Sequence, residues 1–120
     1  MSGLDAYTLF QRGTELIEDG HWAQATVPLE KARKLEPDKT SIREALGRAY
    51  FHSGDYRRAG REFETIVELC PTNDYAHFCL ARALEKQGKR REARRHFSLA
   101  YGMRPDRSDY RLYRERMRAA

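Results

Sequence analysis

Small and apolar positions recur along this chain at a fixed interval. Gly20/Ala25/Leu29/Ala32/Pro37 is followed by Gly54/Ala59/Phe63/Ile66/Pro71 and then by Gly88/Ala93/Phe97/Ala100/Pro105, each set 34 residues after the last. Within each set the apolar residues stand three or four apart, which is helical spacing. A period of this length marks stacked supersecondary units. The pattern predicts six helices in three hairpins, followed by a seventh on its own.

The element boundaries follow from local chemistry. The first helix is expected to start after Ser2, with Asp5 completing a capping box, and to reach about Asp19. Leu9, Gly13, Leu16 and Ile17 form its packing face. The second covers Trp22 to Leu35, and Pro28 inside it is expected to bend it around Gln24. Asp38 or Lys39 opens the third, Asp55 caps the fourth, and Thr72 or Asn73 caps the fifth. The sixth is expected over Lys89 to Tyr101, and the seventh from a cap at Ser108 to about Ala119. Small residues at Gly13/Gly47/Ala81 and at Ala25/Ala59/Ala93 let paired helices approach closely.

Composition fits such an array. Hydrophobic residues make up 40% of the 120 and mean hydropathy is −0.87, which is polar for a compact globule. Stacked units tolerate this because each buries only the faces it shares with neighbours. The expected organisation is one domain over residues 1–120, with repeats at about 6–39, 40–73 and 74–107 and a cap helix over 108–120. No apolar run is long enough to span a membrane, and the first residues lack the basic-then-apolar pattern of a secretory signal. Cys70 and Cys79 fit no metal or redox spacing and are read as reduced thiols. The expected location is the cytoplasm, without membrane contact. The net charge of +5 is uneven: residues 1–88 hold 12 Lys+Arg against 14 Asp+Glu, and residues 89–120 hold 11 against 4.

Catalytic chemistry finds no footing. His21, His52, His77 and His96 have no metal-ligand spacing, and the glycines stand singly rather than in a phosphate-binding loop. Carboxylate pairs such as Glu18-Asp19 and Glu62/Glu64 are expected on solvated helix faces. The chain is therefore expected to be no enzyme, with no cofactor and no metal.

Leu46-Gly47-x-x-Tyr50, Ala59-x-x-x-Phe63 and Pro71, with two helices per 34 residues, resemble the tetratricopeptide repeat family over about residues 6–105. Leu9, Arg43 and His77 depart from the Trp of the family pattern, and Arg12 from the Leu before Gly13. The resemblance implies an all-α, right-handed helical solenoid, with residues 108–120 as its solvating cap. It also implies a concave groove lined by the first helix of each hairpin. The positions that fall there are Tyr7, Phe10, Thr14, Ile17 and Glu18, then Ser41, Glu44, Arg48, Phe51 and His52, then Tyr75, Phe78, Arg82, Glu85 and Lys86.

Aromatic faces beside arginines suit an extended protein segment with bulky apolar anchors and an acidic group. The groove candidates are Tyr7, Phe10, Thr14, Glu44, Arg48, Phe51, His52, Tyr75, Phe78 and Arg82. Family members that clamp the C-terminal carboxylate of chaperone tails need Lys, Asn and Arg at five positions, which here hold Phe10, Thr14, Ala45, Tyr75 and Cys79. A chaperone tail of that type is not the expected partner. The expected function is a non-enzymatic adaptor. The alternatives are a self-associating module that forms a homo-oligomer, and a binder of nucleic acid through the arginines of the last two helices. Those are Arg90, Arg91, Arg94 and Arg95, with Arg111, Arg114, Arg116 and Arg118.

Overall fold

The computed structural model describes residues 5–118, and all the regular structure in them is helical. The helices are α1 (Ala6–Glu18), α2 (Trp22–Leu35), α3 (Thr40–His52), α4 (Tyr56–Leu69), α5 (Asp74–Lys86), α6 (Arg90–Met103) and α7 (Ser108–Arg118). α1 pairs with α2, α3 with α4 and α5 with α6, and each hairpin packs on the next through α2–α3, α4–α5 and α6–α7. The stack measures 54 × 25 × 22 Å. This is the all-α solenoid that the 34-residue period predicts.

Short polar side chains start three of the helices. The Asp5 carboxylate accepts the Thr8 N–H at 2.8 Å, Asp55 accepts that of Arg58 at 3.2 Å, and the Asn73 amide oxygen accepts that of Ala76 at 3.0 Å. Asp5 is thus the N-cap of α1, not the third residue of a capping box; Ser2 and Ala119 lie outside the described residues. Ser108 is the first residue of α7 rather than its cap. Gly20, Gly54 and Gly88 end the first helix of each hairpin at φ 79°, 89° and 79°, where a side chain would be strained. α2 runs on through Pro28 to Leu35, so the missing donor leaves the helix continuous.

One close approach recurs within the hairpins. A Cβ built on Gly47 would stand 2.7 Å from Cε2 of the buried Phe63 ring, and one on Gly13 would collide with Leu29. The first helix gives up its side chain so that the second can lay a large residue against bare backbone. Ala81 and Phe97, both fully buried, hold the same places in the third hairpin.

α7 begins 34 residues after α5, so it takes the position of the first helix of a fourth hairpin. On the side that packs against the preceding hairpin, α3 carries Ile42, Ala45 and Ala49, and α5 carries Ala76, Cys79 and Ala83. α7 carries Tyr110, Tyr113 and Met117 there, with Tyr110 and Met117 fully buried. The side that would receive a second helix holds Arg111, Glu115 and Arg118, all exposed. α1 is the reverse. Its positions equivalent to Ile42, Ala45 and Ala49 are Thr8, Gln11 and Glu15, and exposed Arg12 lies beside them. Among the described residues, exposed polar side chains therefore stand on both outward sides of the stack.

Candidate functional site

α1, α3 and α5 present their open faces on one side, and a hollow opens between α3 and α5. It is lined by Arg48, Phe51, His52, Phe63, Tyr75, Cys79 and Arg82 and holds about 30 Å³ of space. The Arg82 guanidinium carbon lies 4.7 Å from the centre of the Phe51 ring and 5.6 Å from that of Tyr113 on α7. Two aromatic faces thus hold this cation at cation–π range. Arg48 stands beside it on α3. Among the described residues neither arginine makes an ion pair.

The neighbouring groups are neutral near pH 7. Burial lowers the pKa of His52, and Arg48 and Arg82 lower it further. His52 stacks on Trp22 with ring centres 4.1 Å apart. Burial pushes the Cys79 thiol up to about 12, and burial followed by the nearby Cys79 pushes Tyr75 up to about 12. The charges acting on Cys79 and Tyr75 are the Glu44 carboxylate, which raises both, and the guanidinium groups, Arg48 for both and Arg82 for Cys79, which lower them.

A second, larger hollow of about 240 Å³ lies between the starts of α1 and α3, lined by Ala6, Tyr7, Phe10, Glu36, Lys39, Ser41 and Ile42. Tyr7 is 67% exposed at its edge, and Phe10 is half-buried against the core. Half-buried Glu44 sits on α3 one turn before Arg48, between the two hollows. The Thr14 hydroxyl donates to the Gln11 carbonyl of its own helix at 2.9 Å.

Phe78 departs from the expected groove. It is 6% exposed and lies under α7, with ring centres 4.7 Å from Tyr110, 5.0 Å from Tyr113 and 5.7 Å from Phe97. The Tyr110 hydroxyl donates to Asp74 at 2.7 Å, and Arg116 donates to both oxygens of Glu85. These contacts seat α7 across the C-terminal end of the groove. The family register places Phe78 on the concave side, but the next helix in that register covers it. The sequence reading missed Ile42 and Lys39 in the larger hollow and Phe63 in the smaller. Ile42 adjoins Ser41 in sequence, so the turn of α3 was the available signal.

The departures from the family Trp form polar seams. Arg43 donates to the Pro37 carbonyl at 2.6 Å and to Glu62 at 2.9 Å, and Arg33 of α2 also pairs with Glu62. Glu62 is 4% exposed, so it joins two hairpins from the interior and is not the solvated carboxylate expected. One repeat later, His77 faces the Pro71 carbonyl through Nε2 at 2.8 Å and Nδ1 of His96 through its own Nδ1 at 3.0 Å. The carbonyl only accepts, so the His77 Nε2 that faces it carries a proton.

Other chemistry is sparse. Among the described residues no three His, Cys, Asp or Glu side chains gather as a metal site, and no helix is long and apolar enough to cross a membrane. Cys70 is exposed, Cys79 is buried, and both are free. The basic end is partly committed to structure. Arg90 lies 3.5 Å from the Met117 carbonyl, Arg116 holds Glu85, and Arg114 lies over Tyr101 at 5.0 Å.

Known proteins place this architecture. The tetratricopeptide repeat family matches residues 16–77 and again residues 62–95. Human Superkiller complex protein 3 is 30% identical over 92 residues, 77% of this chain, which spans 6% of that protein's length. Among solved structures, the first TPR of Spaghetti (RPAP3), bound to the HSP90 peptide SRMEEVD, has a TM-score of 0.90 at 16% identity, covering 96% of this chain and 91% of that one. MamA from Desulfovibrio magneticus RS-1 has a TM-score of 0.93 at 20% identity, covering 98% of this chain and 66% of that one. The Yersinia enterocolitica type III secretion chaperone SycD, in complex with a peptide of the translocator YopD, has a TM-score of 0.79 at 16% identity, covering 94% and 86%. With the repeat matched over half its length and the hairpins stacked in that fold, the chain belongs to the tetratricopeptide repeat family.

Proposed function

We propose that this chain is a non-enzymatic, cytosolic adaptor that holds an extended, acidic protein segment in its concave groove. The observation that carries the reading is the pair Arg48 and Arg82. Both line one hollow, neither has a carboxylate partner among the described residues, and Arg82 is held in place by Phe51 and Tyr113. A fixed cation loses little freedom on binding, so a guanidinium held this way favours a carboxylate at low entropic cost. The solved relatives that carry an HSP90 peptide and a YopD peptide show the fold in complex with peptides, which suits the same use here. The partner is not a chaperone tail of the clamp type. Phe10, Thr14, Ala45, Tyr75 and Cys79 stand at the clamp positions, and none brings the cations or amides that such a tail needs.

The rival readings draw less support. End-to-end self-association favours an apolar end face, and among the described residues the outward sides of α1 and α7 carry Gln11, Glu15, Arg111, Glu115 and Arg118, all exposed. Nucleic-acid binding would use an arginine stripe, yet three of its eight arginines already serve the packing of α7.

Arg48→Ala with Arg82→Ala tests the proposal in a pull-down beside wild type and the outer-face control Arg57→Ala with Arg61→Ala. Loss of an anchor typically costs about 1–2 kcal/mol, roughly five- to thirty-fold in affinity. The groove variant should release partners that the control keeps. Equal recovery by the groove variant and wild type sinks the reading.

A further inference from the structure

We infer that the groove reads two points of its ligand, an apolar side chain and a carboxylate four or five residues apart, with no acidic residue between them. This rests on the groove reading above and adds to it what the ligand must look like. The two hollows differ in kind. The one at α1 and α3 offers Tyr7, Phe10 and Ile42 and about 240 Å³, room for an aliphatic or aromatic side chain. The one at α3 and α5 offers about 30 Å³ between Arg48 and Arg82, room for a carboxylate and little more.

Helix geometry sets the distance between them. Ile42 and the pair Arg48/Phe51 are six to nine residues apart on α3, about 9–14 Å at about 1.5 Å per residue. The hollows are also offset sideways by one hairpin, about 10 Å at ordinary helix spacing. The path is then about 13–17 Å, which an extended chain covers in about four or five residues.

Glu44 lies on that path, one turn before Arg48. Its carboxylate repels an acidic residue on the intervening stretch and tolerates a neutral or basic one. α7 closes the far end, because Tyr110 and Tyr113 cover Phe78. The ligand therefore crosses the first two hairpins and ends its contacts at Arg82.

A phage-displayed library of random dodecapeptides, panned on the full chain and in parallel on Arg48→Ala/Arg82→Ala, tests this. The expected clones bind wild type, are lost on the variant, and carry an apolar residue four or five positions from Asp or Glu, in either order. In a synthetic peptide from such a clone, Glu→Gln at the anchor, or moving it by two positions, should weaken binding to wild type about ten-fold. This arm needs no protein variant, so it stands even if the double substitution unfolds the chain. A Glu added between the anchors should also weaken binding, and Glu44→Gln should restore it. Clones that depend on the arginines but lack the pairing overturn the two-point reading and leave the groove reading intact. An absence of arginine-dependent clones overturns both.

Discussion

Gly47 carries the hairpin register in a single atom that is missing. Phe63 is 1% exposed and cannot swing away from a new methyl group 2.7 Å from its ring. Gly47→Ala gains helix propensity but overpacks this contact, and overpacking typically costs about 1–3 kcal/mol. The expected result is a lower midpoint of thermal unfolding, read by circular dichroism. A second residue-scale device is the His77–His96 pair. Burial first, then His77 and Arg95, lower the pKa of His96, against the opposing pull of Glu92. The unfolded chain therefore takes up a proton before the folded chain does. Stability is full above the ordinary histidine pKa of about 6.5 and falls as pH drops from there through the lowered value. Urea midpoints measured from pH 7.5 to 5.5 should show this fall, and His96→Gln should lessen it, leaving the part due to His52. The family pattern showed only that a Trp was absent at His77. Its partner stands 19 residues away on another helix, and a one-dimensional pattern carries no such pairing.

α7 decides what the groove can be. It buries Phe78 and Phe97, supplies Tyr110 and Met117 to the core, and sets Tyr113 beside Arg82. Deleting residues 108–120 should expose those aromatic rings, lower the melting temperature and cause aggregation at concentrations where the full chain is clear. A truncated chain with an unchanged melt and unchanged light scattering would contradict the role given to this helix. The helices themselves were legible from apolar spacing and from the helix-ending glycines, because both signals are local. Asp5 and Ser108 misled at the helix starts, since a short polar residue near a start can cap the helix or stand inside its first turn: Asp5 caps α1, and Ser108 is the first residue of α7. Glu62 misled for a different reason. A carboxylate in a polar stretch reads as solvated until Arg33 and Arg43 arrive from other helices.

At the scale of the whole molecule, repetition sets the shape. The same pattern of small and large residues builds three hairpins, and among the described residues Gln11, Glu15, Arg111, Glu115 and Arg118 stand exposed on the outward sides of α1 and α7. Sedimentation over a hundred-fold range of concentration should return one mass, that of the monomer. A mass that rises with concentration would favour the self-assembly alternative. The pairing of helices into hairpins was legible because the repeat fixes which helix follows which. The two hollows were not, since each is made by residues from two or more helices and by the position of α7. The most direct test of the central claim, that Arg48 and Arg82 form the working surface, is amide chemical-shift mapping of the labelled full chain titrated with a peptide recovered by panning. The account predicts shifts concentrated on Tyr7, Phe10, Arg48, Phe51, Tyr75 and Arg82. Saturable shifts confined to the outer faces of α2, α4 and α6, with the groove unmoved, would contradict it.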